Sequence, residues 1–265
     1  MLEISFAVIT SGNNDSAVNL VIDSIEQEAI PKYDIMLIGG MSSSIDRKNV
    51  RHIPILESIY PGVPLNVKKN AGARNALYDI VVIMHDYYTL MPGWYQGMLK
   101  FGTDWDICIT KAFHNQRQGM MLGNGWRIEH IPGYPELPFA MPIPLDIDCF
   151  IPYMPIQGSY WICKRYVMMK YPMDEKLMHG QLEDIMWSSD VVPGWRGEKI
   201  NQNEFAIRAN PYSNVIMSKD KPFYPGNPNW FEIQESFNWL WDKIRAGYRR
   251  PGVYHYDNGQ IVLTR

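Results

Sequence analysis

The chain is short of cysteine, has no excess of either charge and contains no long apolar run, and each shortage removes a class of protein. Its three cysteines, Cys108, Cys149 and Cys163, are odd in number and far apart in 265 residues. That pattern makes neither a disulfide framework nor a zinc site, so free or buried thiols and a reducing, cytoplasmic location are expected. Lys and Arg number 25 against 28 Asp and Glu, a net charge of −3. Nothing then supplies the general attraction that nucleic acid or an anionic membrane needs, and any phosphate site must be local. No stretch approaches the roughly 20 apolar residues that cross a bilayer, and the first residues lack the basic and apolar segments of a secretory signal. No transmembrane segment and no nucleic-acid partner are expected. The first loop, Thr10-Ser11-Gly12-Asn13-Asn14, lacks the Gly-x-Gly-x-x-Gly of a dinucleotide-binding turn. It also lacks the Gly-rich loop with lysine of an enzyme that builds sugar nucleotides.

What is present is a run of short apolar segments separated by helical patterns. Ile4 to Ile9 (ISFAVI) and Asp34 to Ile38 (DIMLI) are β-rich and continuous, which predicts buried parallel strands. Between them Val18, Val21, Ile22, Ile25 and Ala29 recur at helical spacing, with Asp15 or Ser16 as cap and Pro31 as stop. Strand, helix, strand at this spacing places ligands in the crevice beyond the strands' carboxyl ends. A short strand over Leu65 to Val67, a helix over Ala71 to Tyr78 and a strand over Ile80 to Met84 are read next. A helix from Pro92 to Phe101 and a strand from Asp106 to Thr110 follow. Periodicity then stops over 111–155, where seven prolines between Pro132 and Pro155 suggest a long ordered loop or lid. A strand over Gly158 to Cys163, a helix from Lys164 and a helix through Gln181 to Trp187 resume the pattern. Trp230, Ile233, Phe237, Leu240, Trp241 and Ile244 then form an amphipathic stripe. Asp257-Asn258-Gly259 is the turn of a terminal hairpin. The expected fold class is α/β, a mostly parallel central sheet flanked by helices. It forms one domain: a ligand-binding half over 1–110, an acceptor-side half over 111–221 and a helix-and-hairpin extension over 222–265. Aromatic residues reach 13%, which suits surfaces where sugars stack and equally suits protein interfaces.

Four segments concentrate groups that could carry chemistry: Thr10 to Asn14, Gly39-Gly40, His85-Asp86, and the acidic pair Glu183-Asp184 at the start of a predicted helix. The order ISFAVITSGNN, DSIEQEAIPKYDIMLIGG, NAGARNALYDIVVIMHDYYTLMPGW and GQLEDIMW resembles the inverting family 2 glycosyltransferases, whose fold is GT-A, a Rossmann-like nucleotide-diphospho-sugar transferase architecture. The resemblance rests on the order of several weak motifs, over roughly residues 4–110 and, more thinly, 157–190.

The resemblance implies transfer of a sugar from a nucleotide-diphosphate donor to an acceptor hydroxyl on a glycan or another molecule. Thr10, Ser11, Gly12 and Asn13 would contact base and ribose, and Gly39 and Gly40 would close the base pocket. The family usually has an acidic residue there, so the base is unassigned, with uridine as the working choice. Asn70, Arg74 and Asn75 match the stretch that orients diphosphate and donor sugar, although Arg74 also reads as a surface ion pair. His85-Asp86-Tyr87 stands where the family has Asp-x-Asp. Asp86 is then the one strong ligand for a divalent cation, Mn2+ or Mg2+, with His85 as a second ligand or a strand-end imidazole bonded to backbone. Asp184 would be the general base and Glu183 its companion on the acceptor, although carboxylates at a helix start are also favoured by the helix dipole. Trp161 and Trp187 would stack on a sugar or fill the core, and His179 could approach the diphosphate. Arg208 would neutralise the leaving group. The reading from another class is a sugar-nucleotide or glycan-binding protein that kept this fold without its chemistry; Gly39-Gly40 and Tyr87 point that way.

Overall fold

The computed structural model describes residues 1–40, 45–114, 121–123, 126–128, 140–142, 156, 158–181, 183–191, 205–217, 254–257 and 260–263. The chain begins with β1 (Glu3–Thr10), α1 (Asp15–Glu26), β2 (Lys32–Gly39) and β3 (Val50–Pro54). It continues through α2 (Leu65–Asn75), β4 (Ile80–His85), β5 (Tyr88–Leu90), α3 (Trp94–Phe101) and β6 (Ile107–His114). Three short strands follow, β7 (Met121–Gly123), β8 (Trp126–Ile128) and β9 (Ala140–Pro142). Then come β10 (Tyr160–Lys164), α4 (Arg165–Lys170), α5 (Glu183–Val191), β11 (Ile207–Met217), β12 (Tyr254–Asp257) and β13 (Gln260–Leu263). The main sheet runs β3-β2-β1-β4-β10-β6-β11-β5, with β7 paired to β6. Strands β1 to β4 are mutually parallel where they pair; β10 runs antiparallel between β4 and β6, and β11 returns parallel to β6.

Alternation along each strand builds two cores, one on each face. Ile4, Phe6 and Val8 of β1 join Val18, Val21, Ile22 and Ile25 of α1 and Trp94, Tyr95 and Met98 of α3. Ala7 and Ile9 face the other way, with Leu65 and Ala71 of α2, Val167 and Met168 of α4, and Trp187 and Val191 of α5. Helices on both faces of a largely parallel sheet leave one open edge for ligands, the carboxyl ends of β1, β2 and β4.

The first core has the helix read from the sequence, with a different start and stop. Asn14, not Asp15 or Ser16, caps α1: its side chain accepts from Ala17 N at 3.0 Å. The helix ends at Glu26, before Pro31, and Ala29 takes a left-handed backbone, φ +51°. A Cβ in that region costs about 1 kcal/mol. Ala29→Gly is therefore expected to raise the unfolding free energy by about 0.5–1 kcal/mol in urea denaturation. The Glu28 carboxylate accepts from Gly93 N at 2.9 Å and Tyr95 N at 2.7 Å, so the turn after α1 caps the start of α3. Gly93 is itself left-handed, and α3 starts at Trp94 rather than Pro92.

The third strand is Val50–Pro54, and Leu65 to Val67 is the first turn of a helix, against the sequence expectation. The edge position of β3 explains the miss, because a half-buried edge strand carries Arg51 and His52 and lacks a continuous apolar run. Strand β6 reaches His114, past the expected end at Thr110, because β11 and β7 keep pairing with it. The terminal hairpin forms as expected, Asp257 opposite Gln260. The amphipathic stripe from Trp230 to Ile244 and most of the 111–155 loop lie outside the described residues. The two described cysteines, Cys108 and Cys163, are buried free thiols.

Candidate active site

The loops after β1, β2 and β4 are tied together at Thr10, the last residue of β1. Its hydroxyl donates to Asp86 Oδ2 at 2.8 Å and accepts from Gly12 N at 3.0 Å. Its carbonyl accepts from Gly40 N at 3.3 Å and from the Lys68 ammonium at 2.9 Å. Asp86 N in turn donates to Ile9 O at 3.1 Å. The glycines are required by this closeness. A Cβ on Gly40 would stand 1.9 Å from Ser11 O, and one on Gly12 2.7 Å from the Gly40 carbonyl carbon. Ser11 and Asn13 remain exposed at the mouth.

Position 39, where the family resemblance leads one to expect an acid, has no space for a side chain. A Cβ there would lie 2.1 Å from Thr10 O and 2.7 Å from Lys68 Nζ. The buried Lys68 ammonium fills that place, with its counter-charge 2.5 Å away on Glu57 Oε1, in the single-turn helix after β3. Neither Lys68 nor Glu57 stood out in the sequence.

The acidic pair arrives at the same end of the sheet from the other side. Gly158 N donates to Asp184 Oδ2 at 2.9 Å, while His85 N donates to the carbonyl of the adjacent Ser159 at 3.0 Å. Two consecutive residues thus bridge the metal-motif position and the pair. A Cβ on Gly158 would lie 2.8 Å from Asp184 Cβ, so glycine lets the start of α5 approach. Glu183 is buried, with His179 Nδ1 3.8 Å from its Oε1, longer than a hydrogen bond. Burial pushes the Glu183 carboxyl up, but His179 and the cation of Lys69 outweigh that and hold it below the ordinary carboxylate range. His85 packs edge-on against Tyr87, ring centroids 5.3 Å apart.

Several residues expected at the site are placed elsewhere. Asn70 is buried as a clamp: its amide donates to Met173 O at 2.9 Å and Glu175 Oε1 at 3.0 Å, and its oxygen accepts from Met173 N at 3.0 Å. Arg74 pairs with Glu175 at 2.8 Å, and the Asn75 amide turns back onto Ala71 O. Arg74 stands six positions after Lys68, which is at the crevice, and so about 9 Å along the helix axis from it. The Arg74 carbonyl accepts from Arg165 at the opposite end of the sheet. Neither Arg74 nor Asn75 reaches the crevice. Arg208 is likewise at that far end, opposite Cys108 near the start of β6, so Arg208→Ala is expected to leave turnover within about twofold of wild type. Trp161 and Trp187 are core: both are buried, their rings 5.3 Å apart, and the Trp187 indole donates to Tyr171 O at 2.7 Å. A ring with both faces covered has none to offer a sugar.

A divalent cation fits this donor set only in a limited way. Among the described residues no group of three or more His, Cys, Asp and Glu comes together as a metal cage. Asp86 contributes one carboxylate, next to His85. An ion held there by Asp86 would need further oxygen ligands from a bound phosphate group and water, as Mg2+ commonly does.

No protein-family model matches the sequence, and no curated protein matches it. Solved structures do, and what they share with this chain is the fold, the α/β architecture called GT-A. The S. aureus TarS fragment 1–349 aligns over 92% of this chain and 65% of its own, with TM-score 0.52 and 13% identity. Its complex with UDP-GlcNAc gives TM-score 0.55 at 13% identity over 92% and 66%. GalNAc-T7 with UDP, GalNAc and Mn2+ gives TM-score 0.58 at 12% identity, over 92% of this chain and 48% of that one. Identity this low speaks for the fold alone, and this chain spans less than two thirds of each of those chains.

Proposed function

We propose that the protein is a glycosyltransferase of the hexosyltransferase type, moving a sugar from a nucleotide-diphosphate donor, a UDP-sugar in the working assignment, to an acceptor hydroxyl. One observation carries the reading. His85, the residue before Asp86, and Asp184, from separate elements, bond the adjacent residues Ser159 and Gly158 at the carboxyl end of the sheet, beside a glycine-lined pair of loops. The fold of structures that hold UDP, and in one case Mn2+, supports the donor and the cation.

In the proposed reaction the donor base and ribose lie over Thr10 to Asn13 and Gly39-Gly40, and the diphosphate lies toward Asp86. Asp184 takes the proton of the acceptor hydroxyl as its oxygen forms a bond to the anomeric carbon. The bond from that carbon to the diphosphate oxygen breaks with inversion, and the nucleoside diphosphate leaves with the electron pair. Glu183 orients the acceptor. A Mn2+ or Mg2+ on Asp86, with His85 beside it, would neutralise charge developing on the diphosphate. Binding without chemistry on the same fold is the second reading, and the lysine in place of a base-pocket acid favours it.

The donor site is tested by thermal shift of the purified protein with UDP, GDP, CDP and dTDP and their common sugars, each with and without Mn2+ or Mg2+. Saturation at about 100 times the dissociation constant adds about 2.7 kcal/mol. One nucleotide is expected to shift the midpoint, with the metal increment lost in Asp86→Ala. No shift with any nucleotide in any metal would sink the assignment.

A further inference from the structure

The most unusual group near the site is one the reaction above does not use. Lys69, on α2, is fully buried, and its Nζ has no hydrogen-bond partner among the described residues. An ammonium without hydrogen bonds in a dry interior costs several kcal/mol unless charges nearby compensate. It lies 5.4 Å from the centroid of the Trp161 ring, which packs on Trp187, one turn beyond Glu183 on α5. The aromatic pair therefore connects the lysine to the helix that carries the acidic pair. Resting on the assignment of Asp184 as base, we propose that Lys69 is a positioning residue, a counter-ion sealed beneath the site that keeps Glu183 and Asp184 ionised when the acceptor proton must be taken.

The charges that face it agree with this role. Burial pushes the Lys69 ammonium below its ordinary range, and Glu183 and then Asp184 act to raise it. His179 sits on the solvent side of Glu183, its side chain more than half exposed. Strand β10 contributes, besides Trp161, only the Cys163 thiol, which burial pushes up to about 12 and keeps neutral. Among the described residues the lysine is thus a fully buried cation whose charge acts on the pair. Lys68, its neighbour in sequence, is committed to Thr10 and Glu57.

The test compares pH profiles of kcat/KM for wild type, Lys69→Met and Lys69→Gln. Without the cation the carboxylates need a higher pH to ionise. The acid limb is then expected to move up by about one unit, a loss of about tenfold on that limb. At pH 8.5 the variants are expected to recover to within about threefold of wild type. A loss equal at every pH, with the limb unmoved, would overturn the inference, since that is what a merely structural lysine gives.

A second readout does not depend on catalysis. The Glu183 carboxyl lies below its unfolded value, so its stabilising contribution is present above the unfolded pKa and disappears as pH falls through the folded one. Without Lys69 the folded value moves up toward the unfolded one, so less Tm is expected to be lost on acidification, and Glu183→Gln in both backgrounds is expected to reduce the difference to what Asp184 carries. Glu183→Gln alone removes a counter-charge from the buried ammonium and lowers it further, so its Tm is expected to climb more steeply than wild type as pH rises toward the ordinary lysine range. A difference undiminished in the Glu183→Gln background, or an unchanged slope, would refute the coupling. If the wild type transfers no sugar while these stability couplings appear, the proposed activity fails and the counter-ion role remains.

Discussion

Asp184→Asn is expected to cut transfer by about 10²–10⁴-fold while leaving the fold and donor binding in place. Asparagine has almost the same shape, and its carbonyl oxygen can still accept from Gly158 N, as Asp184 Oδ2 does at 2.9 Å. What is lost is proton affinity at the point where the acceptor hydroxyl is activated. The cost should therefore appear in kcat, with the nucleotide-induced thermal shift unchanged. Asp184→Ala is a poorer test, because it also strands the Gly158 N–H, worth about 1–3 kcal/mol if left without a partner. Turnover of Asp184→Asn within tenfold of wild type would remove the residue from the role of base.

The second large effect is expected at Gly39. Its φ is +125°, a conformation closed to other residues, and an added Cβ would stand 2.1 Å from Thr10 O. That oxygen belongs to the backbone and is held by Gly40 N and Lys68 Nζ, so it has little freedom to retreat. Gly39→Ala is expected to cost about 3 kcal/mol or more and to abolish nucleotide binding, since the loops that would cradle the base must separate. Urea denaturation and the nucleotide thermal shift read the two consequences separately. Wild-type stability in Gly39→Ala would mean that these loops are not held as described.

The fold was legible in the sequence where burial is complete. Fully buried strands such as Ile4 to Ile9 and Ile80 to Met84 cannot avoid a continuous apolar run, and both appear where expected. The half-buried edge strand Val50–Pro54 has no such constraint and was missed. The shift of α2 from Ala71–Tyr78 to Leu65–Asn75 mattered more, because it hid Lys68 and Lys69 inside a helix buried along most of its length. Two adjacent lysines normally read as a solvated face. Only the tertiary structure reveals that one fills the space above Gly39 and the other lies under Trp161. Within the candidate site, loops at strand ends were legible because topology alone brings them together, as with Thr10 and Asp86. Side chains assigned through the resemblance to a helix or a distant strand, Arg74, Asn75 and Arg208, depended on which end of the element they occupy, and the structure puts them at the far end of the sheet. The two tryptophans illustrate a separate limit: the residue that stacks on a sugar and the residue that fills a core are the same amino acid, and burial decides.

The measurement that tests the central claim most directly follows the fate of the sugar. Wild type and Asp184→Asn are incubated with the nucleotide sugar that gives the largest thermal shift, a mixture of hydroxyl-bearing glycan acceptors and Mn2+, and both nucleoside diphosphate and glycosylated product are quantified. The account predicts equal amounts of nucleotide and product from the wild type and neither from Asp184→Asn. Tight donor binding with no product and no nucleotide release from the wild type would contradict it, and would identify a binding protein built on a transferase fold.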